Sequence, residues 1–334
     1  MRTRIGRFAF SRLFYIIAGG AASITLILLF PLFVLTDGIP EHEPLEPVPF
    51  PVSVNPVTRT ISENPEIEAT LSRGNYSLTS AALNAGDFMY VLAAVIAAAP
   101  WYQLLASPLA PSILVIEPGY RKEQVAEAVG GALRWSRTEK DSFVKAMRSD
   151  PAPLEEGRIF PGIYAVEGGT GNELLKDMFR DRFERKVLAR YSTTTEAIVP
   201  LATTLTIASM IEREAGDENE MRVISGIMWN RIFANMKLQI DATLQYAKAT
   251  GKNGWWPVVR SRDKYIRSAY NTYQNGGLPP GPIANPSVAA IVAALNPKKT
   301  PCFYYFHDAE RGFHCSETYE GHVALLKEYY GRGK

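Results

Sequence analysis

The sequence predicts an α+β fold preceded by an apolar segment. Short β-branched runs alternate with helical patterns between about residues 71 and 147. Long helical periodicities then fill much of the C-terminal half, and an aromatic strand pattern flanks a turn near residues 302–316. With 334 residues, 46% of them hydrophobic and 21% charged, the chain can bury one large or two modest cores.

At the N-terminus, the stretch from Leu13 to Leu35 carries no charge and is long enough to cross a hydrocarbon layer of about 30 Å as a helix. A cleaved signal would have a shorter apolar region ending at a small-x-small site, which the residues after Leu35 lack. Arg2, Arg4, Arg7 and Arg12 precede the stretch and no acid does, so the expectation is a single-pass anchor with a cytoplasmic N-terminus over residues 1–36. Everything after Thr36 is then expected outside the cytoplasmic membrane. A second apolar run, Phe88 to Ala110, is interrupted by Pro100 and Pro108, so it reads as a buried helix from Gly86 to Ala99 plus a loop.

Residues 37–70 read as a stiff, extended spacer, because Asp37 to Pro56 holds six prolines and four acids. Residues 71–150 read as a small α+β module: a strand at Asn75–Leu78, the Gly86 helix, a strand at Ser112–Ile116, and a helix from Lys122 to Leu133. Thr138 with Asp141 offers a cap for one more helix. Residues 151–334 form the remaining domain. It opens with a loop and strand, then an amphipathic helix from about Gly171 to Arg190.

The segment from Leu205 to Ala215 sets two carboxylates in an apolar pattern. Leu201, Leu205, Ile207, Ala208, Met210, Ile211 and Ala215 share one broad stripe, with Glu212 and Glu214 near its opposite edges. Residues two apart on a helix do not face each other, so these acids are not a close catalytic pair. Either one of them moves protons, or both are edge carboxylates paired with Arg213, Arg222 or other cations. A second helix, Glu218 to Ala234, carries Val223, Ile224, Ile227, Met228 and Ile232 at helical spacing, with Asn230 near its end.

Gln239 and Asp241 follow beside an apolar face, as caps or as ligand-binding groups. Asn271, Thr272 and Tyr273 adjoin a proline-rich loop running from Gly277 to Pro286, either a stiffened turn or part of a binding wall. Rings beside amides and hydroxyls suit sugars, whose faces are apolar and whose edges are polar. A carbohydrate cleft accounts for all three segments at once. Cys302 and Cys315 flank the hairpin turn, where they pair across the ladder or remain buried thiols. No tight Cys/His cluster suggests a metal. Net charge is +2 without a dense basic run, which sets nucleic-acid binding aside.

The sequence resembles the MltG or YceG-like endolytic murein transglycosylases. The motifs that carry the likeness are ASMIEREA (208–215), WNRI (229–232), LQIDATLQY (238–246), YNTY (270–273), GLPPGPIANP (277–286) and the pair Thr318 and His322. The resemblance implies a LysM-like module, here shortened, ahead of a catalytic domain with a lysozyme-like cleft. It implies no cofactor and no metal. The implied reaction is cleavage of the β-1,4 bond between N-acetylmuramic acid and N-acetylglucosamine in nascent peptidoglycan, leaving 1,6-anhydro ends. Glu214 aligns with the catalytic glutamate, and Glu212, Asn230, Gln239, Asp241, Asn271, Thr272 and Tyr273 would support it or line the cleft. His314 departs from the family pattern and takes no role. Penicillin-binding proteins are implied neighbours at the membrane. An inverting muramidase and a noncatalytic glycan-binding scaffold are the alternatives.

Overall fold

The computed structural model describes residues 25, 28–31, 33–34, 47–72, 89, 92–93, 95–97, 99, 101–102, 111–148 and 154–331. Most of the expected anchor, the strand expected at 75–78 and much of the 86–99 helix lie outside these residues. Among the described residues no helix is long and apolar enough to cross a membrane. Leu28, Phe30 and Val34 pack on a small cluster of Ala93, Ala97 and Tyr102, and the Tyr102 hydroxyl donates to the Leu28 carbonyl at 2.9 Å.

Two larger cores organise the mixed α+β fold. Ahead of the first come β1 (Val54–Asn55), β2 (Thr60–Ile61) and α1 (Pro65–Ser72). The first core is built by β3 (Ser112–Ile116), α2 (Lys122–Ala132), α3 (Arg137–Arg148), β4 (Gly162–Val166) and α4 (Asn172–Lys186). β3 and β4 pair antiparallel, from Ser112 opposite Val166 to Ile116 opposite Gly162. Their alternation turns Leu114, Ile116, Tyr164 and Val166 inward. There they meet Val125 and Val129 of α2, Phe143 and Met147 of α3, and Leu175 and Phe179 of α4.

This pairing corrects the domain boundary expected at residue 150. A lone β3 would leave its ladder groups unpaired, and its partner is β4, so the unit extends past Val166. The cap of α3 also differs from the expected Thr138 and Asp141. Ser136 Oγ accepts from the Glu139 N–H at 3.3 Å while Glu139 Oε2 accepts from the Ser136 N–H at 2.6 Å, a reciprocal capping box.

The second core is helical. α5 (Thr193–Ile198), α6 (Leu201–Glu214), α7 (Glu218–Phe233), α8 (Asp241–Lys248) and α9 (Val288–Leu295) precede a hairpin of β5 (Tyr304–His307) and β6 (Phe313–Ser316), then α10 (Tyr319–Tyr330). α9 is apolar around its circumference, as a helix packed on both α6 and α7 requires. The Trp229 indole donates to the Ala294 carbonyl at 2.9 Å. At Gly226 a side chain would meet the Lys298 carbonyl at 2.1 Å, so only glycine admits this close crossing.

The spacer expectation over 37–70 is also corrected. Phe50 and Val54 belong to the helical core. Phe50 N–H donates to the Arg190 carbonyl at 2.8 Å, Ser53 N–H to the Leu295 carbonyl at 3.0 Å, and Asn296 Nδ2 to the Pro51 carbonyl at 2.6 Å. A polar, proline-rich composition does not prevent its few apolar residues from docking once a preformed groove supplies backbone partners.

The two units meet through backbone and rings. Gly119 N–H donates to the Asn285 carbonyl at 2.8 Å, and Asn285 N–H to the Tyr120 carbonyl at 2.9 Å. Arg121 lies over the Tyr246 ring at 4.1 Å, while the Trp256 and Trp255 indoles donate to Gln124 and Glu127 of α2 at 2.8 and 3.0 Å. The buried Asn285 side chain accepts from the Ile159 N–H at 2.9 Å and donates to the Tyr120 carbonyl at 2.9 Å and to Glu156 Oε1 at 3.3 Å. Glu156 also accepts from the Lys122 N–H at 2.9 Å, and burial pushes its carboxyl up to about 8.

Candidate active site

α6 stops at a tight corner that fixes its last carboxylate. Ala215 turns to extended backbone, and Asp217 caps α7 by accepting from the Asn219 and Glu220 N–H groups at 2.8 and 3.0 Å. Glu220 Oε2 accepts from the Gly216 N–H at 2.7 Å. Glu214 is thereby held in the last turn of its helix, where the negative end of the dipole disfavours a second negative charge.

Two donors reach Glu214. The Tyr305 hydroxyl of β5 donates to Oε2 at 2.9 Å, and the Ala242 N–H in the first turn of α8 donates to Oε1 at 3.4 Å. Burial raises the Glu214 carboxyl above the usual carboxylate range, and Asp241 adds to the shift, while the two donors and His307 oppose it. The result is a carboxyl group that holds its proton longer than an exposed glutamate. It remains able to accept hydrogen bonds once ionised.

Asp241 adjoins this group, one residue before the Ala242 donor. It is exposed, and its Oδ1 accepts from the Tyr273 hydroxyl at 2.7 Å. Lys264 Nζ lies 4.8 Å from the centre of the Tyr273 ring. Gln239 is exposed next to Asp241 with a left-handed backbone (φ 52°), held by its own N–H donating to the Thr272 carbonyl at 3.1 Å. Asp241 and Tyr273 are therefore neighbours of Glu214, and Gln239 precedes Asp241 by two residues at the surface.

The other expected residues serve as braces. Thr272 is buried, and its hydroxyl accepts from the Ile240 N–H at 2.9 Å. Asn271 is buried and donates to the Lys264 and Ile266 carbonyls at 3.1 and 2.8 Å. Asn230 donates to the Thr300 and Cys302 carbonyls at 2.8 and 3.0 Å, which ties the hairpin approach to α7. Glu212 does not meet Glu214. Its Oε2 accepts from the Ser287 N–H and hydroxyl at 2.9 and 2.7 Å, at the cap of α9. Neither glutamate pairs with Arg222, which binds Glu68 instead.

Several residues that frame the site carry no role in the sequence reading. Tyr305 is one. Buried Arg231, next to Asn230, donates through Nε to the Phe303 carbonyl at 2.6 Å and through a guanidinium nitrogen to the Leu238 carbonyl. His307 contacts Glu220 at 2.9 Å. The available signal was an Arg in the middle of a helix end, beside a strand with two adjacent tyrosines. Cys302 and Cys315 form a disulfide, with Cα atoms 5.8 Å apart, but the cysteines are not ladder partners because Cys315 opposes Tyr305. Thr318 caps α10 by accepting from the Gly321 N–H at 3.1 Å, and His322 stacks on Tyr304 at 5.6 Å, so both stabilise the tail. His314 pairs with Asp308 at 2.6 Å.

Comparison with known sequences decides the family: the profile of the YceG-like family matches residues 53–328. The chain belongs to the YceG-like family. The matched range of this YceG-like chain starts where Ser53 enters the helical core and ends within α10. It is similar to a protein of Streptococcus pneumoniae named endolytic murein transglycosylase, with 30% identity over 60% of this chain and 41% of that protein. A Bacillus subtilis protein of the same name is 27% identical over 65% of this chain and 64% of its own length. The chain thus spans about two fifths of the pneumococcal relative and under two thirds of the Bacillus one. A crystal structure of a YceG-like protein from Listeria monocytogenes matches with a TM-score of 0.56 at 26% identity, covering 67% of this chain and 81% of that one.

Proposed function

We propose that this protein is an endolytic peptidoglycan lytic transglycosylase, with Glu214 as its acid and base. The observation that carries the reading is the setting of Glu214: a half-buried carboxyl, raised by burial, with donors on both oxygens and a polar, partly open flank. Such a group protonates the departing glycosidic oxygen between N-acetylmuramic acid and N-acetylglucosamine. The resulting carboxylate then takes the proton of the muramoyl 6-hydroxyl as that oxygen bonds to C1. The product is a 1,6-anhydro end, and no water is consumed. The names of the relatives support the same substrate.

Gln239, Asp241 and Tyr273 would contact the glycan, and Glu212, Asn230, Asn271 and Thr272 would hold the walls. The unit from β3 to β4, with its strand, two helices and returning strand, is the counterpart of the LysM-like module in this reading. The stretch from Leu13 to Leu35 would anchor the chain so that the catalytic unit works outside the cytoplasm on nascent strands, limiting their elongation beside penicillin-binding proteins. Mass spectrometry of muropeptides released by the purified protein tests the chemistry. Anhydro ends that vanish in Glu214→Gln are the expected result; reducing ends would instead indicate an inverting hydrolase with Asp241 as base. Binding without cleavage by the wild type would overturn the enzymatic reading altogether.

A further inference from the structure

We propose that Tyr305 is the positioning residue that decides which oxygen of Glu214 carries the acidic proton, and hence the side from which the scissile oxygen approaches. This deepens the acid and base role proposed for Glu214 and rests on it. The Tyr305 hydroxyl donates to Oε2 at 2.9 Å. A hydroxyl has one hydrogen, so an oxygen already accepting it is the less favourable place for a second one. Oε1 holds only the longer 3.4 Å contact from Ala242. The proton therefore resides on Oε1.

Oε1 looks toward the first turn of α8, where Asp241 is exposed and accepts from the half-buried Tyr273. The glycosidic oxygen then arrives over α8, not over the hairpin. Once the proton has left, both donors stabilise the carboxylate that must accept a proton in the second half of the reaction. Burial beside Glu214 keeps the Tyr305 hydroxyl protonated, so it stays a donor throughout.

Tyr305 is itself held in place. Arg231 fixes the Phe303 carbonyl and Asn230 the Cys302 carbonyl, while Cys302 is bonded to Cys315, the residue opposite Tyr305 in the ladder. The other charged or titratable groups around Glu214 are His307 on the same strand, Asp241 of α8, Tyr273 of the adjoining loop, Arg231 of α7 and Arg213 in its own helix. These groups act on Glu214 through space, whereas Tyr305 is hydrogen-bonded to the carboxylate.

The test compares Tyr305→Phe with a full-length protein carrying 3-fluorotyrosine at position 305, a stronger donor of nearly the same size. Two quantities are read: the titration of the Glu214 side-chain carbon by NMR without substrate, and the pH dependence of kcat and KM. Loss of the donor should move the Glu214 titration and the alkaline limb of activity to higher pH, with kcat falling about tenfold and KM changing less than about twofold. The fluorinated residue should move both to lower pH. Curves that superimpose on the wild type for the fluorinated protein overturn the proposal, even if Tyr305→Phe proves unstable. Because the titration needs no substrate, it decides the role of Tyr305 even if no glycan is cleaved.

Discussion

Two regions of this molecule raise a glutamate by burial, and they surround it differently. At the junction of the two units, Glu156 is 6% exposed, accepts from Lys122 and Asn285, and lines a cavity of about 410 Å³ together with Tyr246, Tyr270 and Pro282. At the end of α6, Glu214 is also raised by burial, but its flank holds exposed Asp241 and Gln239. The comparison teaches that desolvation alone does not make an acid catalyst. What separates the two is their neighbours: Glu156 is tied to the Lys122 backbone and Asn285 across the junction, whereas Glu214 takes its donors from Tyr305 and Ala242, beside exposed Asp241.

The largest break in this comparison would come from the two amide variants. Glu214→Gln should lower turnover by at least about a thousandfold without changing the circular dichroism spectrum. Glu156→Gln should leave turnover within a few fold, since its amide oxygen still accepts from Lys122 and Asn285. Equal losses in the two assays would erase the distinction.

The junction itself can be loosened next. Asn285→Ala removes bonds to Ile159, Tyr120 and Glu156 and should cost about 3 kcal/mol of stability, read by chemical denaturation. A change under about 0.5 kcal/mol would mean that the latch is redundant.

The pH dependence of stability sharpens the contrast further. A buried glutamate whose carboxyl is raised to about 8 in the fold, against 4.5 when exposed, binds more protons folded than unfolded between those values. Its contribution is therefore favourable at the acid end and is lost as pH rises through the window, by a few kcal/mol at most. The melting temperature should fall from pH 5 toward about 8, and Glu156→Gln should flatten part of that slope. A slope unchanged by the substitution would assign the effect to other groups.

The smallest expected effect is at Glu212. Glu212→Gln keeps an acceptor for Ser287, so it should cost about 1 kcal/mol or less and keep activity within about tenfold. If it abolishes activity as Glu214→Gln does, the two carboxylates share the chemistry.

Much of this arrangement is legible in the sequence. The strand at Ser112–Ile116 and the helices beginning near Lys122 and Glu218 follow from period and capping chemistry. Helical spacing also kept Glu212 and Glu214 apart, as their separate partners show. The partner of β3 was not legible, because a five-residue run can pair with any other of its kind and the intervening helices hide which. The docking of Phe50 was masked by its prolines. Tyr305 was hidden too: Tyr304 stacks on His322 while Tyr305 reaches Glu214, and adjacent tyrosines in a strand differ only in which face they take.

The leg at Phe50 and Ser53 has a mechanical consequence. Because it is stitched to Arg190 and to the end of α9, a pull along the chain at Phe50 loads the helical core directly. If Leu13 to Leu35 sits in a bilayer, the stretch from Thr36 to Phe50 spans at most roughly 50 Å. The carboxyl of Glu214 would then work on a short leash, sweeping only the layer of wall nearest the lipid.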